Sequence, residues 1–430
     1  MSGASIAPWL AESQWPTVPI RLVARLGSGH TPSRKVAEYW ENCDIPWITL
    51  ADVWQLRSGA VDVITDTKEM ISALGLSNSS AAIHPAGTVI LSRTASVGFS
   101  AIMGSMMATS QDFATWTCGP RLEPRYLLHA LRGMAPDLKR VAMGSTHKTI
   151  YMPDIEQLRI PLPDIEEQRR IADFLDAETS RIDRLISLQR RMLAKLQERE
   201  AAQRDSAIDD LETMGGVVRL RRYIWSMDQG TSPQCDAIPA EDGEWGVLKV
   251  SCLRPGVFDA SQNKRLPPEN EPDPRYAVRQ GDLLIARANT PLLVGSTAVV
   301  GDVRERLLLS DKIFRVKLSG EIIPEFVAEV AAGSKIRMLC ASSSHGASQS
   351  MANIRFEEVK AWPIPRVDRR AQYQFVDEMS EGREQLAKIR NVIDRQLVLL
   401  ADRRQSLITA AVTGQFDVTT ASGRNLTQGV

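Results

Sequence analysis

The chain has 430 residues, 43% of them apolar, which is enough for ordinary buried cores and close to three average domains by length. Its 52 Lys and Arg balance 52 Asp and Glu, and residues 1–163 hold 14 basic against 13 acidic residues, so nucleic-acid binding through a general basic excess is excluded. There is no basic stretch leading into an apolar run at the N-terminus, no segment of membrane-spanning length and no CxxC pair among Cys43, Cys118, Cys235, Cys252 and Cys340; a cytoplasmic protein with reduced, structural thiols is expected.

In chain order, the first predicted elements belong to a mixed α/β domain. Thr88 to Ser92 (TVILS) is a β-rich apolar run, and Glu123 to Gly133 (EPRYLLHALRG) reads as a helix opened by Pro and closed by Gly. The Pro-x-Pro element Ile160 to Pro163 then launches a stretch that has no Gly or Pro as far as Asp210. Ile171, Leu175, Ile182, Leu185, Met192 and Leu196 fall there at the spacing of a coiled-coil seam. Acidic residues Asp164, Glu166 and Glu167 suit the positive end of such a helix. A second α/β set follows, with strands at Leu283 to Ala286 and Ile313 to Leu318 and a helix in IPEFVAEVAAG. It ends in Trp362 to Pro365 and a second long helix, in which Met379, Leu386, Ile393, Leu400 and Leu407 recur every seven residues, with Ile389 and Leu397 between them. Gly382 and a weaker acidic start predict that this helix begins late or frays.

The two halves repeat in order. GSGHTP at Gly27 matches DQGTSP at Asp228, GTVILSR at Gly87 matches GDLLIAR at Gly281, EPRYLL at Glu123 matches IPEFVA at Ile323, and IPLP at Ile160 matches WPIP at Trp362. A tandem duplication is the economical account. The expected architecture is two tandem α/β (α+β) domains, 1–163 and 213–365, joined and followed by helical spacers, 164–212 and 366–430. A helix of about 45 residues extends roughly 65–70 Å and must bury its stripe, so the two are expected to pack as an antiparallel coiled coil with internal pseudo-twofold symmetry.

These residues resemble the specificity subunit of Type I restriction–modification enzymes. The likeness rests on PLPDIEEQRRIADFLD with LQRRMLAKLQERE (Leu188 to Glu200), on LVLLADRRQSLITAAVTGQFDV (Leu397 to Val418) and on the tandem halves between about Val18 and Val418. The resemblance implies a non-catalytic subunit whose two target-recognition domains each read half of a split, asymmetric DNA site. It also implies that the helices set the gap and dock two modification (methyltransferase) subunits, alongside restriction (nuclease and translocase) subunits. S-adenosylmethionine, ATP and Mg²⁺ would then sit on those partners, with no cofactor or metal in this chain and no membrane partner.

Base readout calls for Arg, Lys, Asn, Gln, Ser or Thr on loops. Candidates at matching places are Arg93, Thr94 and Ser96 with His147 and Lys148 in the first half, and Arg287, Asn289 and Thr290 with His345 and Gln349 in the second. A plainer reading has the arginines capping strands. Two other functions compete: a two-headed coiled-coil adaptor for proteins, and a metal-dependent nuclease using Asp52, Asp66 and Lys68, whose spacing mimics a two-carboxylate-plus-lysine site. The chain has no Walker A loop, and its histidines show no HExxH spacing.

Overall fold

The structure is a computed structural model and describes residues 6–57, 59–142, 148–342, 345–348 and 351–418, with the backbone alone for 345–348. Four helices organise it: α1 (Pro124–Val141), α2 (Ile165–Gly215), α3 (Pro324–Ala332) and α4 (Arg369–Thr413). The chain forms two compact units, Met1–Arg191 with Ile393–Val430, and Met192–Val392. Each unit is an α/β head plus part of both long helices.

The first head is built on a five-stranded sheet of β1 (Ala24–Ser28), β2 (Val63–Ile64), β3 (Val89–Ser92), β4 (Ser100–Met103) and β5 (Phe113–Cys118), in the order β1-β5-β3-β4-β2. Strand β3 is buried along its whole length because each face of the sheet is covered. Val89 and Leu91 enter the core that α1 closes with Leu127 and Leu131, whereas Ile90 enters a second core with Ile48, Val53 and Leu56.

The second head repeats the plan with β6 (Ile224–Gln229), β7 (Leu283–Ala286), β8 (Thr297–Val299) and β9 (Ile313–Leu318), ordered β6-β9-β7-β8. Leu283 and Ile285 face α3, while Leu284 and Ala286 face a core with Leu248 and Leu253. Burial pushes the Cys118 and Cys252 thiols up to about 12 and Cys340 to about 11, which keeps them protonated and unreactive.

The Pro-x-Pro elements are strands as well as helix starters. Arg159–Pro161 pairs antiparallel with Thr17–Pro19, and Pro363–Pro365 pairs antiparallel with Val217–Arg219. These short clasps tie the entrance of each long helix to the first strand of its own head, and proline is tolerated in them because they are two-stranded edges. Asp164 Oδ1 then accepts from the Glu167 amide and Asp368 Oδ1 from the Ala371 amide, both at 2.8 Å, as N-caps. Asp368 thus supplies the start that the second helix was expected to lack. α4 begins at Arg369 and runs unbroken through Gly382, which is exposed and has open space where a side chain would stand.

Within the first unit the helix segments run antiparallel: Asp183 of α2 pairs with Arg404 of α4 at 3.2 Å, and further along α2 the Gln189 Nε2 donates to Gln396, which precedes Arg404, at 2.9 Å. Within the second unit, Arg204 of α2 and Arg383 of α4 converge on Glu329, and Ile208 shares a core with Phe375 and Met379. In the α4 seam, Met379 and Ile393 are buried, Leu386, Leu397, Leu400 and Leu407 are half-buried and Ile389 is exposed.

The α2 seam needs correction. Leu175 and Ile182 are buried and Leu196 half-buried, but Leu185 is 48% and Met192 51% exposed. Ile186, Gln189 and Leu193 take the inward positions instead. The adjacent pairs Leu185–Ile186 and Met192–Leu193 offer two stripes, and the sevenfold recurrence of Ile182, Gln189 and Leu196 selects the one next to it. A search for apolar residues alone passes over Gln189, a half-buried polar residue in line with Ile182 and Leu196 that donates to Gln396.

Candidate nucleic-acid interface

Arg93 follows β3 directly, and its neighbours determine what it does. Its Nε donates to the Gln111 carbonyl at 2.9 Å and its Nη1 to the Ile150 carbonyl at 3.3 Å, while its amide donates to Asp112. Arg287, after β7, repeats this: Nε donates to the Asp311 carbonyl at 3.0 Å and the amide to Lys312. Each arginine therefore pins the loop that precedes the last sheet strand of its head. Only part of each guanidinium is taken up in this way, Nε and Nη1 in Arg93 and Nε alone in Arg287.

The segments beside them are held equally firmly. Thr94 bridges to Thr149, and the Ala95 amide donates to the Lys148 carbonyl. In the second head Ala288–Asn289 pairs with Met351–Asn353, Asn289 Oδ1 accepts from the Thr290 amide at 2.8 Å, and the Thr290 carbonyl accepts from Leu293 and Val294. His147 and Gln349 lie outside the described residues, and of His345 only the backbone is described.

Around these frames the structure gathers cations, of which sequence reasoning named only Lys148. In the first head Lys148 and Ser96 line a cleft of about 390 Å³ together with Arg57, Phe99 and Lys139, the last with its Nζ 5.6 Å from the Phe99 ring centre. In the second head Lys249, Lys264 and Lys312 line a cleft of about 350 Å³ with Ser232, Ser251 and Asp311. Among the described residues none of these six cations is in an ion pair. A phosphate could therefore be neutralised there without first breaking an internal bond. Lys249 and Lys264 lie at one antiparallel strand pair, and the others come from segments far apart in the chain.

Asp52 is not arranged for metal chemistry. Its fully buried carboxylate accepts from the Thr49 amide at 2.8 Å, the Thr49 hydroxyl at 3.2 Å and the Lys68 amide at 2.7 Å. It caps the 3₁₀ turn Leu50–Leu56 and ties down the strand that follows. The Asp52 carboxylate is thus taken up by a capping box with Thr49 and by the Lys68 amide. Among the described residues no cluster of His, Cys, Asp and Glu is placed to hold a metal ion, and no helix is long and apolar enough to cross a membrane.

Comparison with known proteins places this frame. Residues 12–197 match the family described as Type I restriction modification DNA specificity domain. The EcoEI specificity subunit of Escherichia coli is 32% identical over 148 residues, 34% of this chain and 25% of that one. The MjaIX specificity subunit of Methanocaldococcus jannaschii is 32% identical over 163 residues, 37% of each. The matched stretch thus spans well under half of the length of either relative. The fold extends further: a solved chain described under complex assembly and conformational transition of the type I R-M system superposes with a TM-score of 0.67 at 17% identity, covering 94% of this chain and 98% of that one.

Proposed function

We infer that this chain, a member of the specificity-subunit family of Type I restriction–modification enzymes, directs such an enzyme to a bipartite DNA target, each head reading one half. The observation that carries the reading is the reuse of one frame with different contents. Arg93 and Arg287 pin corresponding loops in the same way, yet the cations gathered around them are Arg57, Lys139 and Lys148 in one head and Lys249, Lys264 and Lys312 in the other. Two readers of different half-sites need a constant scaffold with variable surfaces.

Methyl transfer, cleavage and translocation then belong to partner subunits, which bind S-adenosylmethionine, ATP and Mg²⁺. Zero net charge fits this division, because partners closing around the duplex supply part of the phosphate contact. Leu185 and Met192, exposed on α2, suit a docking face for the modification subunits.

The test is an exchange of residues 18–160 for the first head of another family member. The altered subunit, assembled with its methyltransferase, should modify a site changed in one half only. A change in both halves would contradict the assignment of one head to one half-site.

A further inference from the structure

The heads meet their helices through buried polar groups, and the two junctions can be compared position by position. α1 and α3 each open with proline, Pro124 and Pro324, and reach a glycine, Gly133 and Gly333, that packs under an isoleucine, Ile408 and Ile208. Between these landmarks His129 and Glu329 occupy the same place, and both are buried.

Their chemistry is reversed. In the first unit the acid is on the helix: Asp176 of α2 receives His129 Nε2 at 2.7 Å and Arg125 Nη1 at 2.8 Å from α1, and Arg125 also reaches Asp173 at 2.8 Å. In the second unit the acid is on the head: Glu329 of α3 receives Arg383 of α4 and, at 3.5 Å, Arg204 of α2. Arg383 also donates to the Gly256 carbonyl at 2.8 Å, holding the head's loop as well as its helix.

We propose that the two head–helix junctions are keyed by opposite polarity, so that each head fits only its own pair of helix segments. Moved onto the first pair, Glu329 meets the Asp176 carboxylate and finds Thr179 in the place of Arg383, while Arg404, the counterpart of Arg204, is already paired with Asp183. Moved onto the second pair, His129 offers Arg204 and Arg383 no carboxylate, Ser380 stands where Asp176 had been, and Arg132 keeps Asp62 of its own head. A buried charge left without its partner is among the most destabilising changes available. At the margin of the second junction Lys335 pairs with Asp209 and Glu212, which is the first unit's polarity, but this lysine is half exposed and its pairs are screened by water. The buried position decides.

For a reader of asymmetric DNA the consequence is that the order of the half-sites is fixed by folding. The key itself does not depend on the DNA reading, so stability tests it separately. The experiment is thermal unfolding of the full chain. His129→Glu should lower the midpoint of the first unit by more than about 5 °C, and adding Asp176→Arg should restore more than half of the loss. Glu329→Gln, which keeps the shape and removes the charge, should lower the midpoint less than Glu329→Lys. A chain with its two heads traded should unfold earlier than the parent. It should recover when Glu and His are also traded at 129 and 329. A traded chain as stable as the parent, or equal losses for His129→Glu and His129→Leu, would overturn the proposal.

Discussion

Gln168 of α2 and Gln372 of α4 make the same three hydrogen bonds. The Gln168 Oε1 accepts from the Glu123 amide at 2.9 Å, and its Nε2 donates to the carbonyls of Arg121 at 3.0 Å and Pro163 at 2.9 Å. Gln372 accepts from Ile323 at 2.9 Å and donates to Glu321 and Val367, both at 3.1 Å. Each side chain is buried and bridges the start of the head's helix to the start of the long helix. Gln168→Ala or Gln372→Ala leaves buried backbone groups without partners and should cost about 1–3 kcal/mol, read from the urea midpoint. A loss below about 0.5 kcal/mol would show that the bridge is dispensable.

Acidification should loosen the first unit before the carboxylates titrate. Burial pushes His129 below its ordinary 6.5, against the opposing hydrogen bond to Asp176. The unfolded chain therefore takes up this proton first. The His129 contribution is complete above pH 6.5 and falls as pH drops below it. For Asp176, burial acts upward but the bonds from His129 and Arg125 outweigh it and hold the carboxyl below 3.8, so its contribution disappears only as pH falls past that value. His129→Gln should flatten the stability profile between about pH 7 and 5; an unchanged slope would remove His129 from the account.

The second head's lysines should act on DNA affinity without changing the sequence read. Lys249→Ala, Lys264→Ala and Lys312→Ala, each in the complex assembled with its methyltransferase, should weaken binding to target and non-target DNA alike. Each should also lower the salt slope by about 1 for every phosphate that is no longer neutralised. A variant that changes the preferred base instead would place that lysine in direct readout.

Lengthening the helices should lengthen the gap. One heptad inserted in each, between Arg191 and Met192 and between Val392 and Ile393, keeps the seam phase where the helices pass from one unit to the other. The methylated site should keep both half-sites and gain unspecified base pairs between them. Unchanged spacing would count against the helices as a ruler.

The organisation of the chain was legible where a feature is periodic or repeated locally. The sevenfold spacing from Met379 to Leu407 marks α4, and the paired TVILS and LLIA runs mark β3 and β7. The Pro-x-Pro copies mark the helix starts, although that they double as strands was visible only with Thr17–Pro19 and Val217–Arg219 beside them. The α2 seam was misplaced at Leu185 and Met192 because neighbouring apolar residues gave two stripes of equal merit, and the side chain that separates them, Gln189, is polar. Site residues were the least legible. Arg93 and Arg287 stand out in the sequence as cations on loops, and only the structure shows that they also brace backbone carbonyls, while Lys249 and Lys312 meet across a chain separation that no local pattern records.

The central claim is tested most directly by single-molecule sequencing of DNA methylation in cells that carry the partner methyltransferase, with and without an intact copy of this chain. A split, asymmetric motif that is present with the chain and lost without it is the predicted result. An unchanged methylome, with the methyltransferase expressed and active, would contradict the claim and favour a two-headed helical adaptor that binds proteins.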